Sequence, residues 1–157
     1  MILQKEKYNE YLEMAAKSLR NADHMAYVIY PLLREKRILF QILNNVYSSL
    51  LNIINAILQY DYVYKRINLY KDSGRNLATF REKCALRYGI NKEEVEAIFE
   101  VISIMEKHKN SPLEFMKKDR LVIMGDNLHI DSLTLERIKA FIFVAKIIQK
   151  KTQDKIR

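Results

Sequence analysis

Apolar residues recur along the first part of the chain at alternating intervals of four and three: Tyr8, Leu12, Ala15, Leu19, Ala22, Ala26 and Ile29. That spacing places all seven on one face of an α-helix. Pro31 is expected to end or kink this helix, because its ring removes a backbone donor and restricts the preceding residue. The pattern predicts a second helix that begins within 32–36 and runs to about 67. NLYKDSGRN, over 68–76, marks a loop, with Asp, Ser and Gly side by side. A third helix over 77–88 then stops at Gly89, a residue suited to the left-handed position after a helix. Asn91 and Glu94 have the spacing of a capping box and open a fourth helix that ends near Lys109. Ser111, Pro112 and Glu114 repeat a start signal for a short turn. RLVIMGDNLHI, over 120–130, holds two apolar runs around Gly125, Asp126 and Asn127, the pattern of a small β-hairpin or an extended loop. The last helix starts near Ser132 or Thr134 and continues to about Gln153. Its segment FIFVAKII is apolar nearly all round, which predicts the central, most buried helix. The expected architecture is all-α: an antiparallel four- to five-helix bundle with a small β-hairpin near 120–130, in one domain over 1–157.

Within the second helix, ILFQILNNVYSSLLNIINAILQY (38–60) carries no charge in 23 residues. At about 1.5 Å per residue such a helix could cross a bilayer. Eight Asn, Gln and Ser side chains gathered on one side argue against that, since they would be costly in lipid without partners. Six of them, Gln41, Asn45, Ser48, Asn52, Asn55 and Gln59, alternate at four and three, the seam that faces another helix. All 46 charged residues lie outside the segment, where only 18 Asn, Gln, Ser or Thr are found. An ordinary solvated face would therefore be mostly charged. Interfaces exclude charge because desolvating an ion costs several kcal/mol. The seam is thus expected to be a helix–helix interface, most simply a homodimer, with a solvated face and a ligand-binding polar groove as the alternatives.

The 157 residues contain 3 Gly, 2 Pro and 49% hydrophobic residues, which disfavours disorder and a β-sandwich. A single cysteine, Cys84, forms no internal bridge and no cysteine-based metal site. The N-terminus is charged by its fifth residue and has no signal-peptide core, so a cytoplasmic protein is expected. No glycine-rich fingerprint or other cofactor motif occurs, and His24, His108 and His129 have no partner at metal spacing.

With 27 Lys and Arg against 19 Asp and Glu, the net charge is +8, which permits a nucleic-acid partner without requiring one. Between Tyr62 and Arg87 seven basic residues stand against two acidic ones. Tyr64, Lys65, Arg66, Lys71, Arg75 and Arg81 are the candidate contacts to nucleic acid, because cations neutralise phosphates and aromatic faces stack bases. The bland alternative is local tyrosine packing with solvated cations. Cys84 stands near Arg81, Lys83 and Arg87, which would favour a thiolate, whereas burial would make it inert. Arg20 and His24, one helical turn apart, could share a phosphate or a carboxylate, or form an exposed pair with no role.

YLEMAAKSLRNADHMAY and NNVYSSLLNIINAIL, within about the first 65 residues, resemble the opening helix pair of HEPN-type helical bundle domains. The chain is also similar to small archaeal proteins of unknown function. The resemblance implies a dimer, and either an RNA-cleaving enzyme, a partner of a nucleotidyltransferase or a non-catalytic nucleotide-binding domain. Ribonuclease members use an arginine and a histidine separated by four to six residues. Here Arg20 to His24 leaves three and Arg120 to His129 leaves eight. The motif is absent. The function expected is a non-catalytic, homodimeric interaction module that contacts RNA or a nucleotide-handling partner protein and uses no cofactor or metal. The alternative is an RNA-processing enzyme with a non-standard site that includes Arg20 and His24.

Overall fold

A computed structural model describes residues 2–110, 113–117, 120–124 and 130–156. Helix α1 (Ile2–His24) passes into a π-helical turn (Met25–Ile29) and then the short α2 (Tyr30–Leu33). The first six seam positions, Tyr8 to Ala26, are buried, and Ile29 packs partly buried against the same core. Pro31 does not end the helix. It sits at the start of α2, where its missing N–H costs little, and the wide turn before it joins Tyr30 N–H to Met25 O. A regular turn would press the proline ring against the carbonyl four residues back. The chain breaks instead at Arg34, in the left-handed region at φ 50°, with its N–H on Tyr30 O at 2.8 Å.

Helix α3 (Lys36–Val63) is the centre of the molecule and packs along α1 and against the two later long helices. Ile42, Leu43, Val46, Ile53, Ala56 and Ile57 have no exposure. It ends at Val63, four residues before the expected stop. Lys65 takes the left-handed position at φ 60°, so that Arg66 N–H bonds Asp61 O at 2.8 Å and Lys65 N–H bonds Tyr62 O at 3.0 Å. These two bonds close the helix without a glycine.

Helix α4 (Ser73–Thr79) begins inside the expected loop, because Asp72 caps it by accepting from Gly74 N–H at 2.9 Å. A π turn (Phe80–Cys84) and a 3-10 turn (Ala85–Tyr88) follow, and Gly89 at φ 70° ends the run as expected. Ile90 N–H reaches Ala85 O at 3.1 Å. Helix α5 (Lys92–Asn110) opens on the expected box: Asn91 N–H donates to Glu94 Oε1 at 2.9 Å, and Glu94 N–H to Asn91 Oδ1 at 2.8 Å.

A three-stranded antiparallel sheet lies between α5 and the last helix: β1 (Leu113–Lys117), β2 (Arg120–Met124) and β3 (Ile130–Thr134), in that order. The hairpin strands near 120–130 are present, while Gly125, Asp126, Asn127 and His129 lie outside the described residues, as do Ser111 and Pro112. Two expectations need correction here. Glu114 belongs to a strand paired with β2 (opposite Ile123) and not to a short turn. Of the two expected starts of the final helix, Ser132 belongs to β3 and Thr134 holds: α6 (Leu135–Ile156) begins directly after it and ends three residues beyond the expected Gln153. Thr134 caps it by accepting from Arg137 N–H at 3.1 Å. Nor is α6 the most buried helix: Phe143 is 65% exposed, and α3 holds the centre. Leu121, Ile123 and Leu133 seat the sheet on the same hydrophobic core as the helices. Among the described residues no helix is long and apolar enough to cross a membrane.

Candidate nucleic-acid interface

The end of α3 is built around one fully buried carboxylate, Asp61. Arg66 Nη1 donates to its Oδ1 at 3.3 Å and Tyr88 Oη donates to the same oxygen at 2.8 Å. Arg87 Nη1 stands 2.9 Å from Oδ2, an ion pair without hydrogen-bond alignment. Both arginine side chains keep 39% exposure, so Asp61 fixes two guanidinium groups that still face water. The sequence makes this possible twice over. The closed end of α3 returns Arg66 onto the last turn. The π and 3-10 turns after α4 bring Cys84, Arg87 and Tyr88 to the same carboxylate.

Beyond the end of α3 a pocket of about 410 Å³ is lined by Tyr62, Val63, Lys65, Arg66, Ile67, Asn68 and Lys83. It receives three cations and, among the described residues lining it, no carboxylate. Tyr60 and Tyr64 pack with ring centroids 4.7 Å apart, and Arg66 lies 5.7 and 5.4 Å from the two centroids. Tyr60 also meets Tyr8 edge-on at 5.1 Å, which ties this end of α3 to α1. Tyr62 and Tyr64 are 42% and 48% exposed, leaving ring surface for stacking.

The six candidate residues therefore divide. Tyr64, Lys65 and Arg66 come together at the pocket or its edge. Lys71 is exposed on the loop beyond. Arg75 is taken up by Tyr70, 3.9 Å below it, and Arg81 lies over Phe99 at 4.4 Å. Arg81 borders a different cleft, shared with Glu82 and Glu106. Lys83 and Arg87, part of the same basic run, belong to the site but were named only as neighbours of Cys84. Arg87 is brought there by buried Asp61 and Lys83 by the turn that follows α4, neither of which can be read from linear spacing.

Cys84 is not a thiolate. Burial, and then the hydrogen bond and charge of Asp61, push its thiol from 9 up to about 12, outweighing Arg87 and Lys83. Burial and Asp61 also raise Tyr88. Both groups hold protons more tightly in the fold than in the unfolded chain. Their contribution to stability is complete below the unfolded thiol's range, near about pH 8.5, and is lost as pH rises through the folded values. The urea midpoint is expected to fall between about pH 9 and pH 11, and to fall less in Cys84→Ala. Equal pH slopes for the two proteins would contradict this.

No family model, curated protein or solved structure matches the chain.

The remaining candidates lie elsewhere. Arg20 and His24 do share a cleft, of about 460 Å³ between α1 and α6, with Tyr27 and Gln149. Lys146 crosses it to Asp23 at 2.6 Å. Gln149 donates to Leu12 O at 3.2 Å, and its Oε1 is buried with no hydrogen-bond partner. His108 pairs with Glu114 at 2.6 Å and stacks on Phe40 at 3.7 Å, fixing β1 to α5 and α3. Among the described residues no cluster of His, Cys, Asp and Glu could hold a metal ion.

The uncharged seam of α3 is divided as well. Ser48 accepts from Ser18 of α1 at 3.3 Å, Asn45 donates to Met25 Sδ at 3.7 Å, and Asn52 is buried with its amide on Ser48 O at 2.9 Å. Ser48 thus meets α1 of the same chain and Asn45 the π turn that follows it, while the Asn52 amide bonds within α3. Gln59 is buried, whereas Gln41 and Asn55 are exposed. At Ser48 the seam is covered by the chain's own first helix.

Proposed function

We propose that this chain is a non-catalytic binding module that takes single-stranded RNA at the C-terminal end of α3. The observation that carries the reading is the convergence of Lys65, Arg66 and Lys83 on one open pocket beside the exposed rings of Tyr62 and Tyr64. Cations there neutralise phosphate and release counterions, and the tyrosine faces accept unstacked bases without demanding a sequence. The salt dependence of binding tests it. Affinity for a single-stranded oligonucleotide is expected to fall with salt on a log–log slope of about −0.7 per neutralised phosphate. Lys65→Ala with Lys83→Ala is expected to flatten that slope by about 1.4. An unchanged slope would remove the pocket from the interface.

The enzymatic reading rests on Arg20 and His24 lining one cleft. In the binding-module account labelled RNA incubated without metal stays intact. Turnover abolished by His24→Ala would replace that account. A homodimer, if formed through the seam, is left with its exposed positions, Gln41 and Asn55. Sedimentation of Asn55→Lys beside the unaltered chain tests that contact: a dimer dissociated by the substitution supports it, and a monomer in both excludes it.

A further inference from the structure

We infer that the pocket recognises the terminal phosphomonoester of a single strand, and not its internal backbone; this rests on the RNA-binding reading above. The first ground is shape. A backbone-tracking site needs a line of cations, and the basic run does not continue as one. Arg75 and Arg81 lie over their own aromatic rings, and Arg81 borders a cleft that also contains Glu82 and Glu106. Apart from Lys71, alone on the loop beyond, what remains is a point: Lys65, Arg66 and Lys83 around a single concavity, with Arg87 on the carboxylate that Arg66 shares.

The second ground is charge. Four cations stand against the one carboxylate of Asp61, and the C-terminal end of α3 contributes roughly half a negative charge. The excess, on the order of +2.5, exceeds what a single phosphodiester offers. It suits a phosphomonoester, which carries about −1.5 to −2 at neutral pH and three acceptor oxygens.

The third ground is preorganisation. Each guanidinium is held by one Nη on buried Asp61 while the side chain stays 39% exposed, so little side-chain freedom is lost on binding. Lys65 is held in a left-handed conformation, uncommon for a residue with a side chain, in a place where glycine would close the helix equally well. Tyr62, which lines the pocket and is exposed, supplies a face for the terminal base.

The experiment compares one short single-stranded sequence in three forms: with a 5′-phosphate, with a 3′-phosphate, and with hydroxyls at both ends. One phosphorylated form is expected to bind at least tenfold more tightly than the unphosphorylated strand, and the two arms identify which end is read. Lys83→Ala, with the same helical circular dichroism as the unaltered chain, is expected to bring that ratio close to one. Equal affinity for all three forms would overturn end recognition while leaving RNA binding in place. Failure of every form to bind would overturn both. A phosphate preference that survives Lys83→Ala would move the site away from this pocket.

Discussion

Asp61→Asn is expected to destabilise the fold by about 3 kcal/mol, which for a chain of this size lowers Tm by about 6–12 °C. Asp61 is fully buried at the point where α3 meets the turns after α4, and it serves Arg66, Arg87 and Tyr88 together. An amide of the same shape can still accept from Tyr88, but it sets an N–H group against a guanidinium and removes the charge that both arginines face. Removing one partner of a buried ion pair typically costs roughly 3–5 kcal/mol. The lower end applies because both arginines are partly exposed and can turn toward water. Arg66→Gln is the contrasting variant: it leaves Arg87 and Tyr88 on the carboxylate and is expected to cost about 1 kcal/mol or less. Urea denaturation measures both. Equal midpoints for Asp61→Asn and the unaltered protein would mean that the cluster does not hold α3 to the later turns.

The second large effect concerns the seam. Asn52→Lys is expected to destabilise the single chain by about 2–3 kcal/mol, because Asn52 is buried beside Ser48, which contacts Ser18 of α1. A lysine there must either bury an unpaired ammonium or force α1 and α3 apart. Asn55→Lys, three residues on at an exposed position, is expected to change the stability of the chain by less than about 0.5 kcal/mol. Matching losses at the two positions would contradict the packing of the seam against α1.

That pair of substitutions also shows what linear pattern can convey. Within the uncharged stretch from 38 to 60, Ser48 meets a residue of another helix. The identity of the facing helix is a matter of topology, and α1 of the same chain presents a small residue, Ser18, at the right height. Periodicity carried furthest where burial is one-sided and local. The α1 seam from Tyr8 to Ala26, the box of Asn91 and Glu94, and the stop at Gly89 all follow from neighbours within a few residues. It failed where partners are distant. Nothing near Glu114 indicates that β2 will pair with it. The basic run from Lys65 to Arg87 locates a positive region, but only the fold separates Lys83, which lines the pocket, and Arg87, which pairs with Asp61, from Arg75 and Arg81. Pro31 distorts the helix without ending it, because a widened turn before it accommodates the ring that a regular helix would reject.

Backbone amide chemical shifts recorded during titration with single-stranded RNA measure directly whether, and where, RNA binds. The pocket account predicts perturbations concentrated at Tyr62 to Asn68 and around Lys83, with Arg20, His24 and Tyr27 unmoved. Shifts centred on the α1–α6 cleft, or none at saturating RNA, would contradict it.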